Sequence, residues 1–507
     1  MNIVKSIGYG AHSLVYHVKS PMGTDSALKC NFTVNGFTGI GSYHELQSSI
    51  ELEHEYLMRV KGIREGDIIN TFGLKYVDDN YLNMKPDHLH FLYPLANTDL
   101  NYLITTSSAS LDFATAKNIL LQVSLALEYM HAKNFVHRDI RPSNILIDVH
   151  NNLWTCKLCD FGMTKYFLKY DVHSPLICTV YYRAPELILG YTEYDKSVDV
   201  WSLGCVAFEL FTGKKLVPTI SQAAPDILRT MYNCLPYDIP MNYVEKLNPN
   251  TSRIFIGMSK TIIHDFIKYL PSISKDMGML NKSRFKAFVL GCIQFDYSKR
   301  FSMSKVVDSD IFYDLKALIS TKRKEYPLAL SLLPVMPNFP NCDERTWMLE
   351  RVIEIFNNRS MYKWYSHRIL FQSIYNFERF LANPGRLSMS QNDTILYLTT
   401  TIYLSYKVFI KLHQEVLSLY DFLPDSLKTE HNLSSAVIFE YNLVKHALKY
   451  KVFFMTIYDY SLSVQKPTQD ITKSIFQFVL EGSHRLLDPK TAFEKWKLNK
   501  VQYDIKC

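Results

Sequence analysis

The sequence predicts an α+β domain over residues 1–320 followed by an all-α region, and three observations support this division. Near the amino terminus, two glycines and a lysine lie in segments with the composition of strands. Between residues 137 and 186, three short polar motifs follow one another. Beyond residue 325, bulky apolar residues recur at i, i+3 and i+4, which is the spacing of helices.

The composition indicates a folded protein with several compact units. A chain of 507 residues has room for roughly two to four units at about 150 residues per domain. Hydrophobic residues make up 47% and charged residues 21% of the chain, which leaves little room for long disordered tails.

Charge and cysteine content argue against several classes of protein. The net charge of +7 results from 56 basic and 49 acidic side chains without a long run of like charges, so nucleic-acid binding is not indicated. Nine scattered cysteines, an odd number, argue against a disulfide framework. No apolar stretch reaches the roughly 18 residues of a membrane span, and the start MNIVKSIGYG lacks a secretory signal. We expect a cytoplasmic or nuclear protein without a membrane partner.

Three motifs in the middle of the chain point to one chemistry. Residues 137–146 read HRDIRPSNIL, residues 160–162 read DFG, and residues 184–186 read APE. Their order and spacing resemble the catalytic core of protein kinases. The resemblance implies a bilobal protein kinase fold, with an N-lobe over residues 1–96 and a C-lobe over residues 97–320.

The resemblance also assigns roles to side chains of these motifs. Asp139 is expected to accept or orient the proton of the substrate hydroxyl, and Asn144 and Asp160 to bind Mg²⁺ through oxygen atoms. Arg141 stands where serine/threonine kinases usually carry lysine, facing the γ-phosphate of ATP. The substitution keeps the positive charge and changes the geometry.

The segment IGYGAHSLVY resembles the glycine-rich loop of kinases. Gly8, Gly10 and Val15 match its pattern, and Ser13 replaces the third glycine. Small residues let the backbone lie close over the phosphates of ATP, and Val15 is expected to cover the adenine. The run Ala27-Leu28-Lys29 resembles the following kinase strand, so Lys29 is expected to hold the α- and β-phosphates.

That lysine needs a carboxylate on the next helix. The run SIELEHEYLMRV offers Glu51, Glu53 and Glu55. We predict Glu53 as the partner of Lys29, because Leu57 then lies one helical turn later, where kinases pack an apolar residue against the phenylalanine of DFG.

The segment HLHFLYPLANTDLNYLI resembles the hinge of cyclin-dependent and mitogen-activated kinases. Tyr93 takes the gatekeeper position, where it narrows the back pocket, and the backbone of Pro94 and Ala96 is expected to meet adenine. Around APE, the string ICTVYYRAPELILGYTEYDKSVDVWSLGC resembles the group that also contains glycogen-synthase kinases. Thr179 and Pro142 favour serine/threonine substrates, and the group favours Ser/Thr-Pro sites.

Two structural roles and one regulatory role follow from the same resemblance. Asp199 is expected to brace the HRD backbone, and Arg300 to pair with Glu186. Ser174 occupies the position of a regulatory phosphorylation site, with Arg138 and Lys165 as partners for the phosphate. The alternative is a surface serine without a regulatory role.

The last third of the chain resembles a cyclin box. A linker with the Pro-containing stretch SLLPVMPNFPNC is expected over residues 321–340, a cyclin-like domain over 341–465 and further helices over 466–507. The matching helices read RTWMLERVIEIF, SIYNFERFL, ILYLTTTIYLSYKVF and FEYNLVKHALKYKVFFMTIYDY. Lys407 resembles the cyclin lysine that faces the kinase, whereas Glu440 lies one residue early for its glutamate partner. An unrelated helical extension, such as a docking module, is the alternative.

The sequence thus predicts an ATP- and Mg²⁺-dependent serine/threonine kinase with an in-chain cyclin-like activator. With this arrangement the chain resembles the kinase–cyclin fusion proteins of large DNA viruses. The resemblance implies a site of action in the cytoplasm or nucleus of an infected cell. The alternative is a weakly active or inactive scaffold whose helical module recruits a cell-cycle or transcription partner. Arg141 and Ser13 are the departures that support this alternative.

Overall fold

The computed structural model describes most of the α+β part and parts of the helical region. The described residues are 2–10, 13–32, 39–65, 86–106, 111–151, 153–168, 173–175, 177–219, 221–235, 277–325, 366–381, 391–409, 419–423, 425–443, 492–494 and 496–497.

An antiparallel five-stranded sheet forms the amino-terminal lobe. Its order is β1-β2-β3-β5-β4, and its strands are β1 (Asn2–Gly10), β2 (Ser13–Lys19), β3 (Asp25–Phe32), β4 (Gly62–Glu65) and β5 (Pro86–Pro94). Alternate residues of β2 are buried, as the two-residue period of a strand requires. Since β3 and β5 are neighbours in the sheet, Lys29 and Tyr93 project from adjacent strands.

One helix, α1 (Ile40–Glu51), lies between this sheet and the turn at residues 161–163. It ends at Leu52, whose backbone is extended and whose N–H bonds to the carbonyl of Ser48. Side chains as different as Tyr43 and Glu45 are buried along it. Because an ordinary surface helix buries a single stripe, α1 must be covered on more than one side.

The carboxy-terminal lobe is built mainly from helices around α3. These helices are α2 (Leu100–Thr106), α3 (Phe113–Ala132), α4 (Pro185–Ile188), α5 (Ser197–Thr212), α6 (Ala224–Cys234), α7 (Met279–Cys292), α8 (Met303–Val307) and α9 (Lys316–Glu325). The carboxylate of Asp112 caps α3 by accepting the N–H of Thr115 at 2.7 Å. Gly204 lets α5 approach α7 closely, since a Cβ there would lie 2.7 Å from the Cβ of Cys292.

Short strands carry the loops between the lobes. A three-stranded sheet of order β6-β8-β9 contains β6 (Thr98–Asp99), β8 (Ile145–His150) and β9 (Leu153–Leu158), and β7 (Phe135–Val136) pairs with β10 (Lys165–Tyr166). In the β8–β9 hairpin, the residue before β8 lies beside the residue after β9. The hairpin therefore brings Asn144 next to Cys159, whose N–H donates to the Asn144 carbonyl at 2.9 Å.

The linker begins later in the structure than the sequence analysis predicted, because helix α9 extends past the expected boundary. It continues to Glu325, beyond the boundary expected at residue 320. Arg323 binds Glu128 of α3 through two hydrogen bonds of 2.6 and 3.0 Å, and Lys322 binds Glu55. These ion pairs hold the end of α9 against the lobes. The rest of the predicted linker lies outside the described residues.

Four helices of the last third are described: α10 (Ser366–Leu381), α11 (Gln391–Phe409), α12 (Leu419–Phe422) and α13 (Glu430–Asn442). The predicted helices over 373–381 and 395–409 lie inside α10 and α11, which confirms their helical character. Tyr397 stacks on Phe439 at 4.0 Å between ring centroids, joining α11 to α13.

Other helices expected in this third fall largely outside the description. The one over residues 345–356, most of the one over 439–460, and the helices expected after residue 465 except five residues near 495 lie outside the described residues. None of the described helices has the length and hydrophobicity of a membrane span.

Candidate active site

The glycine turn lies at the tip of the β1–β2 hairpin. Gly8 pairs with Val15 and Gly10 with Ser13 across the hairpin. A Cβ on Gly8 would lie 3.4 Å from the Cβ of Val15, so this backbone passes close to its neighbour. Residues 11 and 12 lie outside the described part of the chain.

Lys29 lies between two carboxylates. Its Nζ is 2.7 Å from Oε2 of Glu45 and 3.0 Å from Oδ1 of Asp160. Although burial opposes its charge, Asp160 and Glu45 raise the pKa of Lys29 above its ordinary value. Burial also raises the pKa of Glu45, against the opposing influence of Lys29. The lysine is therefore held as a cation between the two lobes.

The prediction that Glu53 pairs with Lys29 is wrong. Glu53 follows the end of α1, its side chain is 75% exposed, and it pairs with Arg59 at 2.6 Å. Leu57 is also outside the helix and forms a strand-like bridge with Leu158. The helix ends earlier than the prediction assumed, so Glu45 occupies the position facing Lys29.

A signal for this register was present in the sequence. Between residues 52 and 56, Leu52, His54 and Tyr56 alternate with two glutamates, Glu53 and Glu55. The structure buries the first three side chains and exposes both glutamates. A two-residue alternation is typical of extended backbone and not of a helix. It indicates that the helical glutamate must be sought further upstream.

Both oxygens of the Asp139 carboxylate are in contact with the loops around it. The amide nitrogen of Asn144 donates to Oδ2 at 2.9 Å and to the Asp139 carbonyl at 2.8 Å. The Thr179 hydroxyl and N–H both lie 3.3 Å from Oδ1. Nε of Arg141 is 3.3 Å from Oδ2. These contacts fix the orientation of the Asp139 carboxylate.

The HRD backbone rests on Asp199, as predicted. The Asp199 carboxylate accepts the N–H of His137 at 2.9 Å and that of Arg138 at 2.8 Å, and it lies 2.9 Å from Nε2 of His131. Despite burial, which acts in the opposite direction, the bond to His131 lowers the pKa of Asp199. Arg138 has a φ of 69°, a left-handed conformation that these bonds hold in place.

Positions 29, 139, 144 and 160 converge on one cleft. Lys29 contacts Asp160, the β8–β9 hairpin links Asp160 to Asn144, and Asn144 contacts Asp139. Mainly because of Lys29, the pKa of Asp160 lies below its ordinary value. Phe161 is buried, with its ring 5.4 Å from that of His137. The four side chains come from three segments, β3, the loop before β8 and the residues after β9, and form one polar site.

The oxygen atoms of this cleft fit Mg²⁺. The amide nitrogen of Asn144 is engaged by Asp139, which leaves its Oδ1 for a hard cation, and Asp160 supplies a carboxylate. Mg²⁺ commonly takes one or two such ligands together with water and substrate phosphates. Among the described residues, no group of three or more His, Cys, Asp and Glu side chains could hold a metal without such help.

The predicted pair of Arg300 and Glu186 is confirmed. Two parallel hydrogen bonds of 2.7 and 2.6 Å join the guanidinium to the carboxylate, and both side chains are fully buried. The pair ties the segment that ends in APE to the loop before α8.

The hinge residues lie at the end of β5. Pro94 pairs with Ser26 as the last residue of the strand, and Ala96 follows. Pro94 has no N–H and can offer only its carbonyl to a ligand, whereas Ala96 can offer both backbone groups. Tyr93 is buried, with its hydroxyl 2.5 Å from Oε1 of Glu45. Ala27, paired with Tyr93, lines the same face of the sheet.

The expected regulatory serine is buried in this structure. Ser174 is 6% exposed, and the Tyr194 hydroxyl donates to its carbonyl at 2.7 Å. Nε of Arg138 donates to the Met163 carbonyl at 2.7 Å, and Lys165 lies in β10. Ser174 is therefore not a surface residue here, and a kinase could reach it only after rearrangement of the segment.

Lys407 and Glu440 lie together at the outer side of α1. Nζ of Lys407 and the hydroxyl of Tyr43 each lie 2.6 Å from Oε1 of Glu440. All three side chains are buried. Although Glu440 lies one residue early relative to the cyclin pattern, its carboxylate reaches the lysine of α11.

Three consecutive residues of α1 contact three different parts of the molecule. Tyr43 reaches the helical region, Nδ1 of His44 lies 3.2 Å from the carbonyl of Gly162, and Glu45 reaches Lys29. Sequence reasoning missed all three positions, because it took the helix to be centred on the later glutamates.

Comparison with known proteins places the cleft in a family. Residues 1–312, more than half of the chain, match the family described as Protein kinase domain. The mitogen-activated protein kinase homolog NTF6 of Nicotiana tabacum is 30% identical over 274 residues, covering 54% of this chain and 68% of that protein. Cyclin-dependent kinase-like 4 of Mus musculus is 28% identical over 277 residues, covering 54% and 76%.

Other relatives match over shorter lengths. The protein kinase gsk3 of Schizosaccharomyces pombe is 40% identical over 141 residues, covering 28% of this chain and 35% of that protein. A crystal structure of the yeast RNA Pol II CTD kinase CTDK-1 complex is similar with a TM-score of 0.49 at 23% identity, covering 62% of this chain and 92% of the matched chain.

Proposed function

Because this chain belongs to the protein kinase family, we propose that it transfers the γ-phosphoryl group of ATP to serine or threonine of a protein, with Mg²⁺ as cofactor. The observation that carries the proposal is the convergence of Lys29, Asp139, Asn144 and Asp160 on one cleft. The similarity to the mitogen-activated protein kinase homolog, to the cyclin-dependent kinase-like protein and to the protein kinase gsk3 supports serine/threonine specificity. Ser/Thr-Pro sites are the proposed targets.

In the proposed reaction, Asp139 orients the attacking hydroxyl. The substrate oxygen forms a bond to the γ-phosphorus while the bond from that phosphorus to the bridging oxygen of ADP breaks, and the hydroxyl proton passes to Asp139. Asn144 and Thr179 fix the two carboxylate oxygens, so the acceptor need not reorganise. Arg141, beside Asp139, offers positive charge to the transferred group.

The other side of the cleft handles the nucleotide. Lys29 faces the phosphates as a fixed cation, and Asp160 and Asn144 supply oxygen ligands for the metal. Bound Mg²⁺ supplies charge neutralisation of the β- and γ-phosphates. Gly8, Gly10 and Ser13 allow the β1–β2 backbone to approach those phosphates. Val15 and Ala27 are proposed to enclose the adenine.

We further propose that the helical region acts as an in-chain, cyclin-like activator. The support is the buried contact of Tyr43 with Glu440 and Lys407, two residues from the glutamate that orients Lys29. Tethering would favour this contact, because a linked module has an effective concentration on the order of mM. Location in the cytoplasm or nucleus and a viral origin stay predictions from the sequence.

The proposed activity is tested with the full chain and its Asp139→Asn variant. The wild type should transfer labelled phosphate from ATP to a generic basic protein with Mg²⁺ or Mn²⁺. Asp139→Asn should abolish transfer and keep the stabilisation of the protein by Mg·ATP in a thermal unfolding assay. Asp226→Asn, the same chemical change at an exposed site on α6, serves as the control. An inactive wild type that still binds Mg·ATP would instead support the scaffold alternative.

A further inference from the structure

Tyr93 contributes more than bulk to the back of the cleft. Its side chain is 8% exposed, and its hydroxyl lies 2.5 Å from Oε1 of Glu45. We propose that Tyr93 is a positioning residue for phosphoryl transfer: its hydroxyl fixes the Glu45 carboxylate and thereby controls how Lys29 is shared between Glu45 and Asp160. The inference rests on the proposed kinase function and adds a residue to its machinery.

The two oxygens of Glu45 are held by different donors. Tyr93 donates to Oε1 and Lys29 to Oε2. The two donors project from β5 and β3, which are paired side by side in the sheet. A carboxylate bound at both oxygens by one rigid sheet cannot rotate, so the position of α1 relative to the sheet is fixed at this point.

Burial makes the Tyr93 hydroxyl necessary for the charge of Glu45. The Glu45 side chain is almost fully buried, and a buried carboxylate oxygen without a donor carries a desolvation cost. Burial raises the pKa of Glu45, and the hydrogen bond from Tyr93 is among the contacts that oppose this rise. Without the hydroxyl, Glu45 would shift towards its neutral form and hold Lys29 less firmly.

The consequence reaches the metal site through Lys29. Its ammonium lies 2.7 Å from Glu45 and 3.0 Å from Asp160, so the two carboxylates compete for one cation. If the ion pair between Glu45 and Lys29 is weakened, Lys29 moves towards Asp160. A carboxylate that is more tightly paired with lysine is a poorer ligand for Mg²⁺. Loss of the hydroxyl should therefore raise the Mg²⁺ concentration that the enzyme needs.

Substitution with phenylalanine separates the hydroxyl from the size of the ring. In the full chain, Tyr93→Phe keeps the volume of the gatekeeper and its edge contact with Phe91. We expect about a tenfold fall in kcat/KM for ATP, the size of effect that follows from one hydrogen bond to a charged group. The Mg²⁺ concentration for half-maximal rate should rise by about threefold or more at saturating ATP.

A second readout needs neither nucleotide nor metal. Hydrogen exchange of the backbone amides in α1 (Ile40–Glu51) should be faster in Tyr93→Phe than in the wild type. Tyr182→Phe is the matched control, because it removes another buried tyrosine–glutamate bond, of 2.6 Å to Glu209. The control should lower thermal stability without altering exchange in α1 or the Mg²⁺ dependence.

Combination with Glu45→Gln completes the test. Since Tyr93 acts through Glu45, Tyr93→Phe should change the rate less than about twofold when Glu45 is already Gln. Unchanged Mg²⁺ dependence together with unchanged exchange in α1 would overturn the role of Tyr93. A wild type without kinase activity would refute the proposed function, whereas the exchange experiment would still decide whether Tyr93 positions α1.

Discussion

The Tyr43 hydroxyl donates a hydrogen bond of 2.6 Å to Glu440, a residue 397 positions further along the chain. The same carboxylate oxygen accepts from Lys407 at 2.6 Å. Two residues further along the same helix, Glu45 binds Lys29 in the cleft. Helix α1 therefore contacts both the helical region and the lysine of the cleft.

The register of α1 can be tested with two glutamates. Glu45→Gln should lower kcat/KM for ATP on the order of 100-fold, because Lys29 loses the partner that orients it. Glu53→Gln, the matched control, should stay within about twofold, since an exposed ion pair contributes little. Steady-state kinetics of both full-length variants measures this. The reverse order of effects would restore the glutamate first predicted from the sequence.

The buried pair of Arg300 and Glu186 should be important for stability. Glu186→Gln leaves Arg300 buried without a charged partner, and the expected cost is about 3–5 kcal/mol in the free energy of unfolding. Denaturant unfolding followed by tryptophan fluorescence is suitable, since Trp201 lies 5.1 Å from the guanidinium. A loss below about 1 kcal/mol, as for a surface pair, would contradict the structural role given to this contact.

The lowered pKa of His44 predicts that the free energy of unfolding depends on pH. Burial, and then the charge of Arg138, lowers the pKa of His44 from 6.5 to about 3. Between these values the unfolded chain binds a proton that the folded chain excludes, so stability should fall as the pH drops from about 6.5 towards 3. Neutral His44 also contacts the Gly162 carbonyl.

His44→Gln should flatten part of this acid limb. Glutamine cannot titrate and can still donate to the Gly162 carbonyl, so the variant isolates the protonation effect. The midpoint of thermal unfolding, measured between pH 6.5 and 4, should depend less on pH in the variant. His54→Gln is a suitable comparison, because burial lowers the pKa of His54 to about 4 and its ring packs against Tyr56 and Tyr129. A variant with an unchanged slope would argue against this role of His44.

The catalytic motifs could be predicted from the sequence because they are short and local. Asp139, Asn144 and Asp160 sit in segments whose spacing is set by the β8–β9 hairpin and the loops beside it. Asp199 and Arg300 also lie where the resemblance placed them, with the expected partners. These contacts depend on fixed offsets from recognisable motifs.

The position of α1 could not be read in the same way. Its helical glutamate depends on where the helix begins, and residues 33–38, which precede it in the sequence, carry no recognisable motif. The contact of Tyr43 with Glu440 joins segments separated by most of the chain. Likewise, the hydroxyl of Tyr93 gains its importance only from its distance to Glu45. Such tertiary contacts have no signature in a single sequence.

The most direct test of in-chain activation is the kcat of the full-length Tyr43→Phe variant, alone and with Glu440→Gln. Tyr43→Phe removes a hydroxyl that binds Glu440. The control is Tyr397→Phe, because the Tyr397 hydroxyl makes no hydrogen bond among the described residues. We predict that Tyr43→Phe lowers kcat about fivefold. In a protein that already carries Glu440→Gln, adding Tyr43→Phe should change kcat little. The control Tyr397→Phe should have the kcat of the wild type. Equal kcat values for Tyr43→Phe and the wild type would contradict activation through α1.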